Sequence, residues 1–322
     1  ALHRGLKGLV VQDFTDLEEV EKILFDLDST QNLSKIGGNT VIALEYALLQ
    51  AMSNNNVWRF LNPSADKLPL PLGCCIGGGK HAINGTDFQE FLLMPQGETV
   101  HDHALVSKHI YKRIQHDLRP LQRSCTGGWE TSLDHVSVLD YLSTLTEDVL
   151  HNFGIFVGLG IDVAGSHLFT GGDYFYRKGK ISRDNQIKYI NSLINKYSLG
   201  YVEDPLDEHD ADGFGLIKGD LICGDDIVCT QLDLLKKVEG KINCVSLKPT
   251  QVGSLLKVKE LVDYAHEHNI HTVMSYRAGE TTDTIIADLG VAWRSDFIKV
   301  GIGGIEHAIK LNRLKQIEKE IK

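Results

Sequence analysis

Residues 243–277, NCVSLKPTQVGSLLKVKELVDYAHEHNIHTVMSYR, contain the pattern that decides the fold. One apolar, β-type run ends at Lys248, and a second is followed by Arg277. Between them, apolar residues recur at helical spacing behind an N-cap at Ser254: Leu255, Val258, Leu261, Val262 and Ala265. The stretch therefore predicts a strand, a helix and a strand, with a charged residue at the end of each strand.

The same unit recurs through the second half of the chain. Apolar runs end in charged residues at six places: Asp162, Glu203, Asp225, Lys248, Arg277 and Lys299. From Glu203 onward they lie 22, 23, 29 and 22 residues apart, a spacing that fits one strand, one helix and two loops. Successive βα units with functional side chains at the strand ends predict an α/β fold of the TIM-barrel type, whose active site lies at that face.

The first part of the chain has a different pattern. Helical spacing runs from Leu17 to Leu27 behind a capping-box pattern, Thr15 to Glu18, and recurs from Val41 to Met52. A turn-rich joint at 62–66 then precedes a strand-like run. We therefore expect a helical segment at 1–64 and the barrel at 65–322.

Composition excludes several classes of partner. The chain has 33 Lys and Arg against 43 Asp and Glu, with no basic cluster, which argues against nucleic acid and anionic membrane surfaces. Its six cysteines form no CxxC pair, and we expect them to be reduced in a cytoplasmic protein. There is also no apolar run of about 18 residues that would predict a membrane span.

The charged strand ends fall into an acidic and a basic group. Asp162, Glu203 and Asp225 would face one point, where their repulsion needs a cation, and their hard oxygen ligands suit Mg²⁺. The three cationic ends can hold carboxylate and phosphate groups while a lysine of lowered pKa abstracts a proton. Asp204 and Asp226 double two of the acidic ends, so spacing leaves open which residue of each pair is the ligand.

Nearly the whole chain resembles enolase in the order of its motifs. The matching stretches are QNLSKIGGNTVIALEYAL, LPLPLGCCIGGGKHAINGTDFQEFLLMP, GLGIDVAGSHLF, YVEDPLDEHD, GDD, SLKPTQVGS, AGETTDT and IKVG. The resemblance implies a modified barrel behind the helical remnant of an N-terminal α+β domain. It also implies reversible dehydration of 2-phosphoglycerate to phosphoenolpyruvate in glycolysis and gluconeogenesis, by a cytoplasmic homo-oligomer.

The resemblance assigns a role to each matching residue. Asp162, Glu203 and Asp225 match the Mg²⁺ ligands, and Lys248 matches the base that removes the C2 proton. The other matches are Lys299 for the substrate carboxylate, Arg277 for its phosphate, His81 for a substrate contact, and Glu90 and Glu130 for loss of the C3 hydroxyl.

Two motifs depart from the family. The stretch SYRAGET has Tyr276 and Ala278 at substrate-binding positions where enolases usually carry histidine and serine, although Arg277 is retained. In GGWET, a gap-free overlay places Trp129 at the expected glutamate, with Glu130 one position later. These changes keep a second hypothesis open, that of a catalytically impaired or repurposed enolase-like scaffold.

Two further alternatives concern the reaction and the N-terminus. A racemase or cycloisomerase of the enolase superfamily typically has a KxK pair on an early strand, where this chain has Glu90. The sequence also begins without Met, beyond the family's N-terminal sheet and its mobile loop. Either those residues precede Ala1 in a longer protein, or the chain is a trimmed homologue.

Overall fold

The fold was derived from a computed structural model that describes residues 5–30, 32–83 and 85–321. Its strands are β1 Leu70–Gly77, β2 Glu90–Pro95, β3 Val157–Asp162, β4 Phe169–Thr170, β5 Asp173–Tyr176, β6 Gly179–Ser182, β7 Tyr201–Glu203, β8 Leu221–Gly224, β9 Cys244–Leu247, β10 His271–Ser275 and β11 Phe297–Lys299. Eight of them close into a barrel in the order β1, β11, β10, β9, β8, β7, β3, β2. The other three, β4 to β6, form a small antiparallel sheet. The α/β barrel expected from the sequence is confirmed.

Strand β2 runs against the rest of the barrel. It pairs antiparallel with both β1 and β3, whereas the other neighbouring pairs are parallel. The first residue of β2, Glu90, therefore lies at the carboxyl ends of the parallel strands. In register it stands opposite Gly77 on one side and Asp162 on the other, and Asp162 in turn stands opposite Glu203.

Helices cover the barrel and connect its strands. They are α1 Leu17–Asp28, α2 Gly38–Met52, α3 Val57–Leu61, α4 Val100–Leu118, α5 His135–Phe153, α6 Arg183–Tyr197, α7 Ala211–Phe214, α8 Leu232–Lys237, α9 Pro249–Val252, α10 Leu255–Glu267, α11 Ile285–Ala292 and α12 Ile305–Ile321. Short 3₁₀ turns occur at Phe14–Asp16, Gly79–His81 and Gly165–His167.

Helix α10 forms where its pattern predicts. The Ser254 hydroxyl accepts a hydrogen bond from the Lys257 amide at 3.0 Å, which satisfies one of the unpaired N–H groups of the first turn. All five of the apolar residues named for this helix are buried. The βαβ unit of residues 243–277 is thus confirmed in both its order and its buried face.

The predicted capping box at Thr15 is wrong by two residues. Asp13 caps the 3₁₀ turn that leads into α1, and Asp16 completes the box by accepting the Asp13 amide at 2.9 Å. A carboxylate competes well for such amides, and the Thr15 hydroxyl instead lies 3.5 Å from Asp13 Oδ1.

The helical segment packs directly on the barrel. Trp58 of α3 is buried and its amide donates to Asp288 of α11 at 3.3 Å, while the Asn62 side chain donates to the Ala292 carbonyl at 2.8 Å. The boundary between residues 64 and 65 stays a prediction. No helix in the described ranges is long and apolar enough to cross a membrane.

Candidate active site

The carboxyl ends of the barrel strands surround a cavity of about 240 Å³, here called the site cavity. Nine of the eleven residues singled out from the sequence line it: His81, Glu90, Asp162, Asp225, Lys248, Tyr276, Arg277, Ala278 and Lys299. Glu203 lies beneath the lining, fully buried and in contact with Lys299. Glu130 is not one of the lining residues. The fold therefore brings ten of the eleven residues to one place, including Glu90 and His81, which lie outside the strand-end pattern.

Lys299, the last residue of β11, is the centre of the site. Its Nζ lies 2.9 Å from Glu90 Oε2, 3.0 Å from Asp162 Oδ2 and 2.8 Å from Glu203 Oε2. Burial alone would lower the pKa of Lys299, but these carboxylates raise it well above its usual value. Lys299 is therefore held as an ammonium ion.

The pKa values of the carboxylates around Lys299 shift in different directions. Burial raises the pKa of Asp162 to about 6, aided by Glu203 and opposed by Lys299. The pKa of Glu90 is also raised by burial, but the charge of Lys299 and the nearby His81 overcome this effect and hold it well below its ordinary range. Glu90 is therefore favoured in its ionised form.

Lys248 follows β9 and pairs with a different carboxylate. Its Nζ donates a hydrogen bond to Asp225 Oδ2, and its amide donates to the Thr230 hydroxyl at 2.9 Å. Burial lowers the pKa of Lys248 and Lys299 lowers it further, although nearby carboxylates oppose the shift. The two lysines of the site are thus tuned in opposite directions.

Two buried oxygens test whether the acidic residues suit a divalent cation. Glu203 Oε1 and Asp225 Oδ1 are buried without a hydrogen-bond partner among the residues described. A buried carboxylate oxygen without a donor is costly, and a cation is one way to satisfy it. Asp162, Glu203 and Asp225 offer only oxygen atoms, the ligand type that Mg²⁺ prefers, although the carboxylates whose oxygens lie within 4.8 Å of one another are those of Asp204, Asp225 and Asp226.

Asp204 has a structural role at the doubled acidic ends, whereas Asp225 and Asp226 both line the site cavity, so the choice of ligand between these two stays a prediction. Asp204, with φ at +41°, turns its carboxylate to the next strand end and accepts the amides of Asp225 at 2.9 Å and Asp226 at 2.7 Å. These bonds shape the turn that carries Asp225. One oxygen each from Asp204, Asp225 and Asp226 lies within 4.8 Å of the others, yet both Asp204 oxygens are already engaged by amides.

Two residues beside Glu90 complete the side of the cavity formed by β2. His81 Nδ1 lies 3.7 Å from Glu90 Oε1, and the Tyr276 hydroxyl donates to the same oxygen at 2.9 Å. The neighbouring Gln89 side chain donates to Asp162 Oδ2 at 3.2 Å. Sequence reasoning missed Gln89; its position next to Glu90 in DFQEF was the available signal.

Arg277 and Ala278 lie at the exposed rim. Both also line a larger neighbouring cavity of about 760 Å³ between α2 and residues 277–286. The arginine at the end of a buried strand therefore projects from the barrel mouth, where it can meet an anionic ligand.

Glu130 lies in the loop that precedes α5. It is buried, and its Oε2 accepts a hydrogen bond from the Gln122 side chain at 2.8 Å. The neighbouring Trp129 packs away from the cavity, stacking on Tyr111 at 4.9 Å and donating to the Tyr111 carbonyl at 3.0 Å. Trp129 therefore does not occupy the site.

Comparison with known proteins agrees with this architecture. Residues 65–322 match the family described as "Enolase, C-terminal TIM barrel domain". The chain is 37% identical to an enolase of Methanocorpusculum labreanum over 96% of its own length and 82% of the relative. It is 37% identical to an enolase of Methanothermobacter thermautotrophicus, covering 97% and 81% of the two chains. For an enolase of Picrophilus torridus the identity is 36%, covering 99% and 83%.

Carboxylates and lysines converge on one cavity at the strand ends of this barrel, which is the arrangement of an α/β-barrel enzyme. The family match identifies that enzyme as a lyase. The family match covers most of the chain, and these three relatives are similar along nearly all of it. The chain belongs to the enolase family.

Proposed function

We propose that this chain catalyses the reversible, Mg²⁺-dependent dehydration of 2-phosphoglycerate to phosphoenolpyruvate, in glycolysis and gluconeogenesis. The observation that carries the proposal is geometric: two lysines with separate carboxylate partners line one cavity, Lys248 beside Asp225 and Lys299 beside Glu90, Asp162 and Glu203. Lys248 has a lowered pKa and Lys299 a raised one, and carboxylates from β2, β3, β7 and the end of β8 surround them. One lysine suits proton abstraction and the other suits anion binding.

The residues that would hold the metal are Asp162, Glu203 and Asp225. Their support is the pair of buried, unpartnered oxygens on Glu203 and Asp225. When bound, Mg²⁺ supplies positive charge that stabilises the negative charge developing on the substrate carboxylate.

Lys248 is the proposed base for the C2 proton. Burial lowers its pKa, so a larger fraction is the neutral amine near pH 7 than for an exposed lysine. Because its amide is fixed by Thr230 and its Nζ by Asp225, the amine is held in one position before substrate arrives.

The substrate's two anionic ends need separate cations. Lys299 stays charged and lines the cavity floor, which suits it to the carboxylate. Arg277 at the rim presents a planar fork of donors, which suits it to phosphate. Binding at both ends would fix C2 near Lys248.

Loss of the C3 hydroxyl requires a proton, because hydroxide is a poor leaving group. Glu90 is held in its ionised form by Lys299, so we propose that it accepts a hydrogen bond from the substrate hydroxyl. Glu130 remains the proposed general acid, and in that role it would have to approach the cavity from its contact with Gln122.

The proposal is tested by measuring phosphoenolpyruvate absorbance from 2-phosphoglycerate in Mg²⁺ and after chelation with EDTA. We expect turnover that chelation abolishes and added Mg²⁺ restores. Glu203→Gln should weaken the activation by Mg²⁺, whereas Glu208→Gln, outside the lining residues of the site cavity, should leave it unchanged. Equal turnover with and without metal would contradict the proposal.

A non-catalytic scaffold is the second candidate, and the position of Glu130 outside the cavity lining favours it. The catalyst and the scaffold differ in how metal binding affects substrate binding. A catalyst whose substrate and metal share a site binds each more tightly in the presence of the other. Calorimetric titration of Mg²⁺ with and without 2-phosphoglycerate measures this coupling. A scaffold should show none.

The remaining proposals follow the family. We propose a small molecule as the partner of the site, a cytoplasmic location and assembly into a homo-oligomer. Size-exclusion chromatography with light scattering tests the assembly, for which a single monomeric species would be the contrary result.

A further inference from the structure

Tyr276 is the first residue after β10, and its ring is fixed from several sides. Its amide donates to the Lys299 carbonyl at 3.2 Å, which ties it to β11. The side chain is only 3% exposed, and its ring meets the ring of His307 edge to face at 5.2 Å. The phenol is therefore held by its surroundings and reaches the cavity in one orientation.

The hydroxyl of Tyr276 spans the barrel mouth. It donates to Glu90 Oε1 at 2.9 Å, although β1 and β11 lie between β10 and β2 in the barrel. The other Glu90 oxygen lies 2.9 Å from Lys299 Nζ. One oxygen of Glu90 is thus hydrogen-bonded to Tyr276 and the other is ion-paired with Lys299, and all three residues line the site cavity.

A phenol has one proton to donate, and in Tyr276 that proton goes to Glu90. The hydroxyl therefore cannot donate to a substrate oxygen while it keeps this bond. A contact of Tyr276 with the anionic ends of a ligand would cost the bond to a buried carboxylate, a charge-assisted interaction. The geometry assigns the hydroxyl to Glu90 and leaves anion binding to the arginine and lysine.

We propose that Tyr276 is a positioning residue that holds Glu90 with its carboxylate facing the substrate's C3 hydroxyl. The inference rests on the proposed function, because it requires that Glu90 act on that hydroxyl. It separates the two halves of the reaction: proton removal by Lys248 does not need Tyr276, whereas loss of the hydroxyl does.

The test compares Tyr276→Phe with the unchanged protein in D₂O, following two signals from 2-phosphoglycerate. One is phosphoenolpyruvate formation, and the other is deuterium entry at C2 of unreacted substrate, read by NMR. Phenylalanine keeps the ring and its contact with His307 but lacks the donor. A hydrogen bond to a charged group typically supports a roughly 10- to 100-fold effect, so we expect kcat to fall by that factor.

Two further readouts separate positioning from a merely structural role. KM should change by less than about threefold, and the ratio of C2 exchange to dehydration should rise by about tenfold or more, because only the second half-reaction is impaired. In a Glu90→Gln background, adding Tyr276→Phe should lower kcat by less than about twofold, since the two residues act through one contact. Tyr176→Phe, which removes a hydroxyl bonded to Gln186, is the matched control and should leave the ratio unchanged.

Several outcomes would overturn the inference. They are a kcat of Tyr276→Phe within twofold of the unchanged protein, a KM increase at constant kcat, and an unchanged exchange ratio. If the variant does not fold, incorporation of 3,5-difluorotyrosine at position 276 keeps the ring and the donor while altering the hydrogen bond. The exchange ratio should then shift by about threefold or more at constant KM, and an unchanged ratio would overturn the inference. Absence of both exchange and dehydration in the unchanged protein would instead contradict the proposed function.

Discussion

Glu90 and Asp162 stand opposite each other in register, although Glu90 begins its strand and Asp162 ends the neighbouring one. This is a consequence of the reversed direction of β2, which brings the start of one strand to the carboxyl ends of the others. Lys299 bridges the pair at 2.9 and 3.0 Å. A buried cation thus compensates charges that would otherwise repel each other.

The first prediction concerns removal of that cation. Lys299→Met leaves Glu90, Asp162 and Glu203 buried without it, and loss of one partner of a buried ion pair typically costs about 3–5 kcal/mol. We expect a marked fall in the free energy of unfolding in EDTA, measured by urea denaturation, and partial recovery in Mg²⁺.

The matched control is Lys259→Met, which removes a surface pair with Asp263. Such pairs contribute about 0–1 kcal/mol, so little change is expected. Unaltered stability of Lys299→Met in EDTA would contradict the role assigned to Lys299.

The second prediction concerns pH and a buried acid that does not line the site cavity. Glu45 of α2 is buried against Glu21 and accepts the Leu255 amide at 2.8 Å. Burial, with repulsion from Glu21, raises the pKa of Glu45 from 4.5 to about 9. A raised pKa means that the folded protein holds a proton that the unfolded chain releases, so stability falls as pH rises through this range.

Glu45→Gln should remove this dependence. We expect the melting temperature of the unchanged protein, relative to Glu45→Gln, to be highest below pH 4.5 and to fall by at least about 2 °C toward pH 9. Glu18→Gln, at an exposed position of α1, is the control. If the melting temperatures of the unchanged protein and Glu45→Gln change with pH in the same way, the raised pKa assigned to Glu45 is wrong.

The third prediction concerns the loop that carries Arg277. Lys310 of α12 is fully buried and donates to the Thr281 carbonyl at 2.8 Å, and its Nζ lies 3.5 Å from Glu280. From the other side, the Gln50 side chain donates to Asp283 at 3.2 Å. The loop is therefore braced by both α12 and α2.

Lys310→Met should release one brace and also lower the free energy of unfolding by about 1–3 kcal/mol, because the Thr281 and Glu306 carbonyls lose their donor. We expect KM for 2-phosphoglycerate to rise by about tenfold, since misplacing the loop moves Arg277. Lys319→Met, exposed on the same helix, should leave KM unchanged. A KM for Lys310→Met equal to that of the control would show that the brace does not act on the site.

The fourth prediction concerns the rim. Arg277→Lys keeps the charge but loses the planar fork, so we expect KM to rise by roughly tenfold with a smaller effect on kcat. Ala278→Ser adds a hydroxyl donor beside it, and a bond to phosphate should lower KM by several-fold. Steady-state kinetics at fixed ionic strength measures both. If neither variant alters KM, the phosphate does not bind at this rim.

The sequence predicted the site residues that lie at the ends of regular βα units, but not those whose position depends on long-range strand pairing. Lys248 and Lys299 end regular βα units, so spacing alone placed them at one face. Glu90 does not end a strand, and only the resemblance to enolase identified it. The reversal of β2 that brings it to the site depends on long-range pairing with β1 and β3, which leaves no local signal.

The direction in which a side chain points could not be predicted from the sequence either. Spacing could not separate Glu203 from Asp204, and the difference lies in the left-handed backbone at Asp204, which turns its carboxylate to the amides of residues 225 and 226. Likewise, the motif around Glu130 did not reveal its contact with Gln122 outside the cavity lining. Both depend on packing between segments that are distant in the chain.

The most direct test of the central claim is phosphoenolpyruvate formation from 2-phosphoglycerate in Mg²⁺ by the unchanged protein and by Lys248→Ala. If Lys248 removes the C2 proton, the unchanged protein converts 2-phosphoglycerate, and kcat of the folded variant is lower by about 10²-fold or more. Comparable turnover in both proteins, or none in the folded, Mg²⁺-loaded unchanged protein, would contradict the account.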